Sequence, residues 1–353
     1  MTESPSAFIF NGMHVPLPEP PHIPFPKDFS FLQSLGTGLS ILILIAILSP
    51  VLGVVALYAS GPLEQEKTVV IAHGSSIFDI GAQLSQENAV YFSSVFNVAA
   101  RITGSLKAGE YVLPAGISAF DLAVLMHEGH SVIRTFTAVE GLTSAEIVRL
   151  LNDNPVLTGS IKEFPPEGSL LPETYHYSYG DNRASIIARM QNAMHEKLNE
   201  LWANRDMGGT LKSIEEAVVL ASIVEKETGK AEERPRIAGV FFNRLRKNMR
   251  LQSDPTVIYA MTNGQIALDR ALTRNDLSIT SPINTYVNTG LPSQPICNPG
   301  RASLEAVLHP ENNDFLYFVA DGNGGHAFAA DLKTHNKNVN LWHRATNTVA
   351  GKP

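Results

Sequence analysis

Val218 to Leu245 reads VVLASIVEKETGKAEERPRIAGVFFNRL, and this stretch decides the architecture. It opens as an apolar helical run and stops at two carboxylates, Glu225 and Glu227. Val218, Ala221 and Glu225 are spaced by three and four residues, so they share one helix face. Glu227 shares a face with Leu220, Ile223 and Val224, and spacing alone does not choose between the two glutamates. A carboxyl group held against apolar walls keeps its proton to higher pH, because desolvation disfavours the charged form. Such a group can act as a general acid near neutrality. Burial behind Val218 and Ala221 is therefore expected to hold Glu225 protonated, whereas Glu232, Glu233, Arg236 and Arg246 read as ordinary solvated charges.

Just upstream, Ser213-Ile214-Glu215-Glu216 has capping-box spacing and should open this helix. A second helical stretch ends in Asn243-Arg244-Leu245, and Leu251-Gln252-Ser253-Asp254-Pro255 follows. Gln252, Ser253, Asp254 and Tyr259 are candidates to line a cleft. Asp254-Pro255 equally suits a turn or a helix start.

Further upstream, Arg134 to Val139 alternates as a strand, and Thr143 with Glu146 forms another capping box. Glu167 to Tyr175 is a loop punctuated by Gly168 and Pro172, the kind of segment that carries function. Glu167 and Tyr175 are its candidate ligand-binding residues, with an internal ion pair as the plainer role for Glu167. Helix is expected again from Arg183 to Trp202. Toward the C-terminus, Asn288 with Gly290 is a further candidate contact. Gly322-Asn323-Gly324-Gly325-His326 reads as a turn between strands at Phe315 to Ala320 and Ala327 to Ala329, with His326 a candidate to hydrogen-bond substrate beside the cleft.

Residues 68–130 form a smaller pattern: a strand at Val69 to His73, helices at Ile77 to Gln86 and Ser93 to Ile102, a strand at Gly109 to Leu113 and a helix at Ala119 to Glu128. The pattern V-x-x-G-x-S-x-x-x-I resembles a LysM-like peptidoglycan-binding module. A packing unit without a ligand fits the same pattern.

The N-terminus is of another kind. Met1 to Phe31 is rich in proline and is expected to be a disordered tail. Leu39 to Tyr58, LSILILIAILSPVLGVVALY, holds no charged residue. At about 1.5 Å per residue it covers the roughly 30 Å of a bilayer core. It starts too late and runs too long for a cleaved signal peptide. Lys27, the only Lys or Arg before the span, adjoins Asp28, so charge hardly sets orientation.

The net charge of −7 speaks against nucleic acid as the main partner. One cysteine, Cys297, excludes an internal disulfide and shows no nucleophile pattern. His309, His326 and His335 lack the spacing of a tight metal site, so no metal and no cofactor are expected.

Val224-Glu225-Lys226-Glu227-Thr228, Asn243-Arg244-Leu245, Met249 to Tyr259, Asn284-Thr285-Tyr286 with Thr289 to Pro292, Gly322 to His326, Glu140-Gly141-Leu142 and Glu167-Gly168 together resemble the endolytic murein transglycosylase family, the MltG or YceG-like proteins. The resemblance runs from the span to about Val339; the long proline-rich tail departs from it. It implies an α+β fold: a cytoplasmic tail at 1–38, a single transmembrane helix at 39–58, a LysM-like subdomain at 66–132 and a mixed α+β catalytic domain at 133–345. It implies a bacterial inner-membrane protein with the catalytic region in the periplasm. It implies a lyase that cuts the β-1,4 bond between N-acetylmuramic acid and N-acetylglucosamine in nascent glycan strands, leaving 1,6-anhydro ends and limiting strand length. Glu225, first glutamate of VEKET, corresponds to the family's catalytic residue. Peptidoglycan strands are the implied substrate, and penicillin-binding polymerases the implied partners. A membrane-anchored binding scaffold and a zinc peptidase or amidase are the competing classes.

Overall fold

A computed structural model describes residues 29–206 and 211–350, so the tail ahead of Phe29 lies outside the described residues. The chain divides into two units, residues 1–59 and 60–353. The first holds helix α1, Phe29–Tyr58, with Pro50 inside it. Leu35–Tyr58 is exposed except at Leu57 and has a mean hydropathy of 2.8, long and apolar enough to cross a membrane. The helix begins ten residues ahead of the expected span. Pro26 is the last helix-breaking proline before it, and no charge interrupts Phe29 to Gly38.

The second unit opens with β1 (Lys67–Ile71), α2 (Ile77–Gln86), α3 (Ser93–Thr103), β2 (Gly109–Leu113) and α4 (Ala119–Glu128). β1 and β2 pair antiparallel, Val69 opposite Tyr111. Ser76 caps α2 through a complete capping box with Asp79. Leu84, Phe96, Tyr111 and Leu122 are fully buried and form the core of this part.

Next come β3 (Arg134–Thr137), α5 (Ser144–Asn152) and β4 (Thr174–Tyr177), with β3 antiparallel to β4. The capping box of Thr143 and Glu146 is present. Helices α6 (Arg183–Ala203), α7 (Ile214–Glu227), α8 (Arg234–Arg246), α9 (Asp254–Thr262) and α10 (Arg301–Leu308) follow. The hairpin of β5 (Tyr317–Ala320) and β6 (His326–Ala329) and the helix α11 (Leu332–Ala350) complete the described chain.

α7 is the axis of the larger part. Every residue from Ala217 to Val224 is buried, so the helix is enclosed on all sides rather than along one stripe. Ile237, Phe241, Leu251, Leu304 and Val307 pack around it. Its start is only half a capping box. Ser213 accepts the Glu216 N–H, but the Glu216 carboxylate takes the Lys212 N–H instead of that of Ser213. The Asn243-Arg244 pair proves to be a tie. Asn243 donates to the carbonyls of Asn313 and Phe315, and Arg244 donates to those of Leu316 and Leu251. α8 thereby fixes both the β5–β6 hairpin and the segment leading to α9.

Candidate active site

The end of α7 delivers its two glutamates to different surroundings. The Glu225 side chain is only 5% exposed. Arg234 Nη2 donates to its Oε1 at 3.1 Å, and the Gly300 N–H, at the N-terminus of α10, donates to its Oε2 at 2.9 Å. The walls expected from Val218 and Ala221 are thus replaced, at the carboxylate itself, by a cation and a helix N-terminal N–H. Lys226 donates to the Gly141 carbonyl, which brings the 140–142 turn over the α7 terminus. Gly141 has φ +79°, and a β-carbon there would lie 3.6 Å from Glu225 Cγ. Glycine suits this turn through its backbone conformation.

Arg234 also reaches Glu140, whose Oε2 lies 3.5 Å from Nη2. Burial, and then the nearby charge of Glu225, hold the Glu140 carboxyl above its ordinary value; Arg234 opposes this. Two carboxylates therefore share one guanidinium.

Glu227 faces the other way. Ser253 Oγ donates to it at 2.5 Å. Burial pushes its carboxyl up, against the Ser253 bond; Asp254 adds to the rise, while His326 and Arg244 oppose it. Glu227 is thus the α7 carboxyl whose proton affinity burial raises. His326 is set by Glu233: its backbone N–H donates to Oε1 at 2.9 Å, and its Nδ1 lies 2.7 Å from Oε2. Glu233 is buried, not solvated, because it receives both His326 contacts and a bond from Thr228. Arg236 likewise pairs with Glu311.

Residues 69–341 match the YceG-like family. The chain belongs to the YceG-like family. A relative from Bacillus subtilis (strain 168), named endolytic murein transglycosylase, is 32% identical over 78% of this chain and 86% of its own length. One of the same name from Streptococcus pneumoniae (strain D39) is 30% identical over 77% of this chain, which spans 57% of that longer protein. A crystal structure of a yceG-like protein from Listeria monocytogenes is 33% identical, with a TM-score of 0.48 over 78% of this chain and 99% of that one.

The remaining candidates of this YceG-like chain fall into two groups. Ser253, Asp254 and His326 gather with Glu227, and Tyr286 Oη donates to Asp254 at 2.5 Å. Gln252 is exposed beside them with φ +48°, a left-handed conformation that a non-glycine residue seldom adopts. Glu167, Tyr259, Tyr175 and Asn288 are engaged internally. Glu167 accepts from the Ser144 N–H, the Tyr259 hydroxyl and Asn298. It also lines a groove of about 540 Å³ with Met194, His195, Val218 and Gln294, and neither Glu225 nor Glu227 lines that groove. Tyr175 donates to the Leu171 carbonyl, and its hydroxyl is pushed up to about 12 by burial. Asn288 donates to the carbonyls of Ser281 and Asn284.

Three participants were not singled out from the residue pattern: Arg234, Glu140 as a site member, and Asn298. Arg234 carried a signal. A cation at a helix N-terminus opposes the dipole, so an arginine just before Pro235 calls for a carboxylate partner. Asn298 is fully buried and ties Leu142, Ser144, Glu167 and Leu170 together, with nothing in its local sequence to mark it. Among the described residues, no group of three His, Cys, Asp or Glu side chains could hold a metal ion. His309 lies 3.1 Å from Asp206, and His335 stacks on Tyr317.

Proposed function

We propose that this chain is an endolytic lytic transglycosylase. In this reading it cuts the β-1,4 bond between N-acetylmuramic acid and N-acetylglucosamine within nascent glycan strands and leaves 1,6-anhydro ends, so limiting strand length. The relatives' shared name supports the activity. The observation that carries the site is the convergence of Glu225, Arg234, Glu140 and the α10 N-terminus at the end of the buried helix.

Ordinary glycosidases need two carboxylates at a set separation. A lytic enzyme needs one, because the sugar's own C6 hydroxyl is the nucleophile. Glu225 donates a proton to the glycosidic oxygen as its bond to C1 breaks. The carboxylate then takes the proton of the C6 hydroxyl as that oxygen bonds to C1. Glu140 shares Arg234 with Glu225, and burial together with the Glu225 charge raises its proton affinity. Gln252 and Asp254, exposed near the other glutamate at the end of α7, would contact the sugars, while buried Ser253 holds Glu227.

A second reading rests on Glu227, the carboxyl that burial lifts, as the acid. The test is mass spectrometry of purified wall glycan incubated with the detergent-solubilised full chain, beside Glu225→Gln and Glu227→Gln. Anhydro ends from the wild type and Glu227→Gln but not Glu225→Gln support the first assignment; the reverse transfers the role to Glu227. Reducing ends point to hydrolysis. Loss of cleavage with glycan binding retained by the wild type leaves the membrane-anchored scaffold.

The same reading places α1 across the inner membrane, the N-terminus in the cytoplasm and the site in the periplasm. It gives residues 66–132 a LysM-like, glycan-holding role. Penicillin-binding polymerases, as the source of nascent strands, are the proposed partners.

A further inference from the structure

We infer that α3 and the turn before it form a lipid-docking face that holds the N-terminal part of the second unit against the bilayer; this rests on α1 being a membrane span. Tyr91 and Phe92 are 66% and 67% exposed, and Val98 and Ile102 are exposed by half or more. Val98 and Ile102 lie four residues apart on one face of α3, and Tyr91 and Phe92 stand in the turn ahead of its first residue. Phe78 of α2 extends the patch, lying under the Arg101 guanidinium at 5.5 Å. Contiguous exposed apolar surface of this kind marks an interaction site.

Chain connectivity names the occupant. α1 ends at Tyr58. Three residues on, Gly61 donates its N–H to Gly116, and a β-carbon on Gly61 would lie 3.1 Å from the Ala89 carbonyl. Three residues reach at most about 11 Å and two more, from Ala89 to Tyr91, about 7 Å. Covalent reach alone therefore keeps the Tyr91 and Phe92 backbone within about 30 Å of the end of the span. The tether therefore lets both rings reach the headgroup interface, where aromatic side chains are favoured. The chemistry of the face agrees. It is aliphatic and aromatic with one guanidinium, which can reach an anionic headgroup while its stem stays on the apolar surface. A sugar-binding face would need several hydrogen-bonding groups between its rings. Tethering makes even a weak lipid contact persistent, since the second encounter is intramolecular. Docking would fix the height of the active site above the membrane.

The test uses the full chain in vesicles of phosphatidylcholine and phosphatidylglycerol, with one spin label at Val98→Cys or Ile102→Cys. Native Cys297 is fully buried and so is withheld from labelling. References are Leu44→Cys in α1 and Phe164→Cys, which is 61% exposed in the native chain. Docking predicts labels at 98 and 102 with several-fold lower accessibility to a water-soluble nickel chelate than the label at 164, and with oxygen accessibility raised toward that at 44. Lipid-like behaviour at 44 with water-like behaviour at 98 and 102 overturns the docking face and leaves the span standing. Water-like behaviour at 44 overturns the span, and the docking with it. Protection at 98 and 102 that appears only when glycan strands are added assigns the face to sugar and overturns the lipid proposal.

Discussion

Arg234 and Glu225 form an ion pair of 3.1 Å in which the side chains are 9% and 5% exposed. Removing one partner of such a pair strands a buried charge and costs about 3–5 kcal/mol. Arg234→Met leaves both Glu225 and Glu140 without their cation. Glu225→Gln keeps an acceptor for the Gly300 N–H and leaves Arg234 its contact with Glu140. The expected order of thermal stability is wild type, then Glu225→Gln, then Arg234→Met well below. Calorimetry of the solubilised chain measures it, and an Arg234→Met protein as stable as Glu225→Gln would contradict the pairing.

Glu227 makes a prediction of opposite sign. Burial raises its carboxyl above the unfolded value, against the Ser253 bond. A raised folded value means the contribution to stability is present at low pH and is lost as pH rises through that value. Glu227→Gln keeps an oxygen for Ser253 and cannot ionise. It should therefore melt higher than the wild type above neutrality, by on the order of a few °C. The difference should vanish toward pH 4. A Glu227→Gln variant that is less stable at pH 8 than at pH 4, relative to wild type, would show that Glu227 is stabilised as a carboxylate.

Glu233 runs the other way. Burial would lift its carboxyl, but the bonds from His326 and Thr228 outweigh it and hold it below the usual range. Its contribution is then present above the ordinary carboxylate value and lost as pH falls through the depressed one. Glu233→Gln should lower stability at pH 7 by about 1.5–3 kcal/mol, the scale of hydrogen bonds to a charged group. The loss should shrink as pH approaches 3. Denaturant titrations at the two pH values decide it.

Local chemistry explains what was legible in the sequence. The starts of α2 and α5 follow from Ser76 with Asp79 and Thr143 with Glu146, and α4 keeps its expected limits. These signals lie within four residues of the element they fix. Ser253, Asp254 and His326, expected beside the cleft, gather at Glu227 and not at Glu225, whereas Tyr259 turns to Glu167. What remained hidden depends on distant partners. Glu233 reads as solvated until β6, 93 residues away, supplies His326. Glu167 reads as a loop carboxylate until Tyr259 and Asn298 arrive from 92 and 131 residues downstream. The choice between Glu225 and Glu227 was open because helix spacing gives a direction but not the charge waiting there.

Gly300 offers a test of the carboxylate cluster that leaves its acids chemically intact. Its φ of −74° suits any residue, so no backbone strain enters. A β-carbon there would fall 1.9 Å from Glu140 Oε1 and 2.2 Å from its Cδ. Glu140 is 42% exposed and can swing into solvent, so Gly300→Ala should fold with a melting temperature near that of wild type. Its displacement would take from Arg234 its second carboxylate and from Glu225 the neighbouring carboxyl group. The expected result is a fall in turnover of at least about tenfold, since positioned acid–base groups are worth 10²–10⁴-fold. Glu140→Gln should give a comparable fall, and the double variant no more than either alone, because both act through the same carboxyl. Full activity in Gly300→Ala, with Glu140 shown to be displaced, would remove Glu140 from the mechanism and leave Glu225 to carry the proton alone.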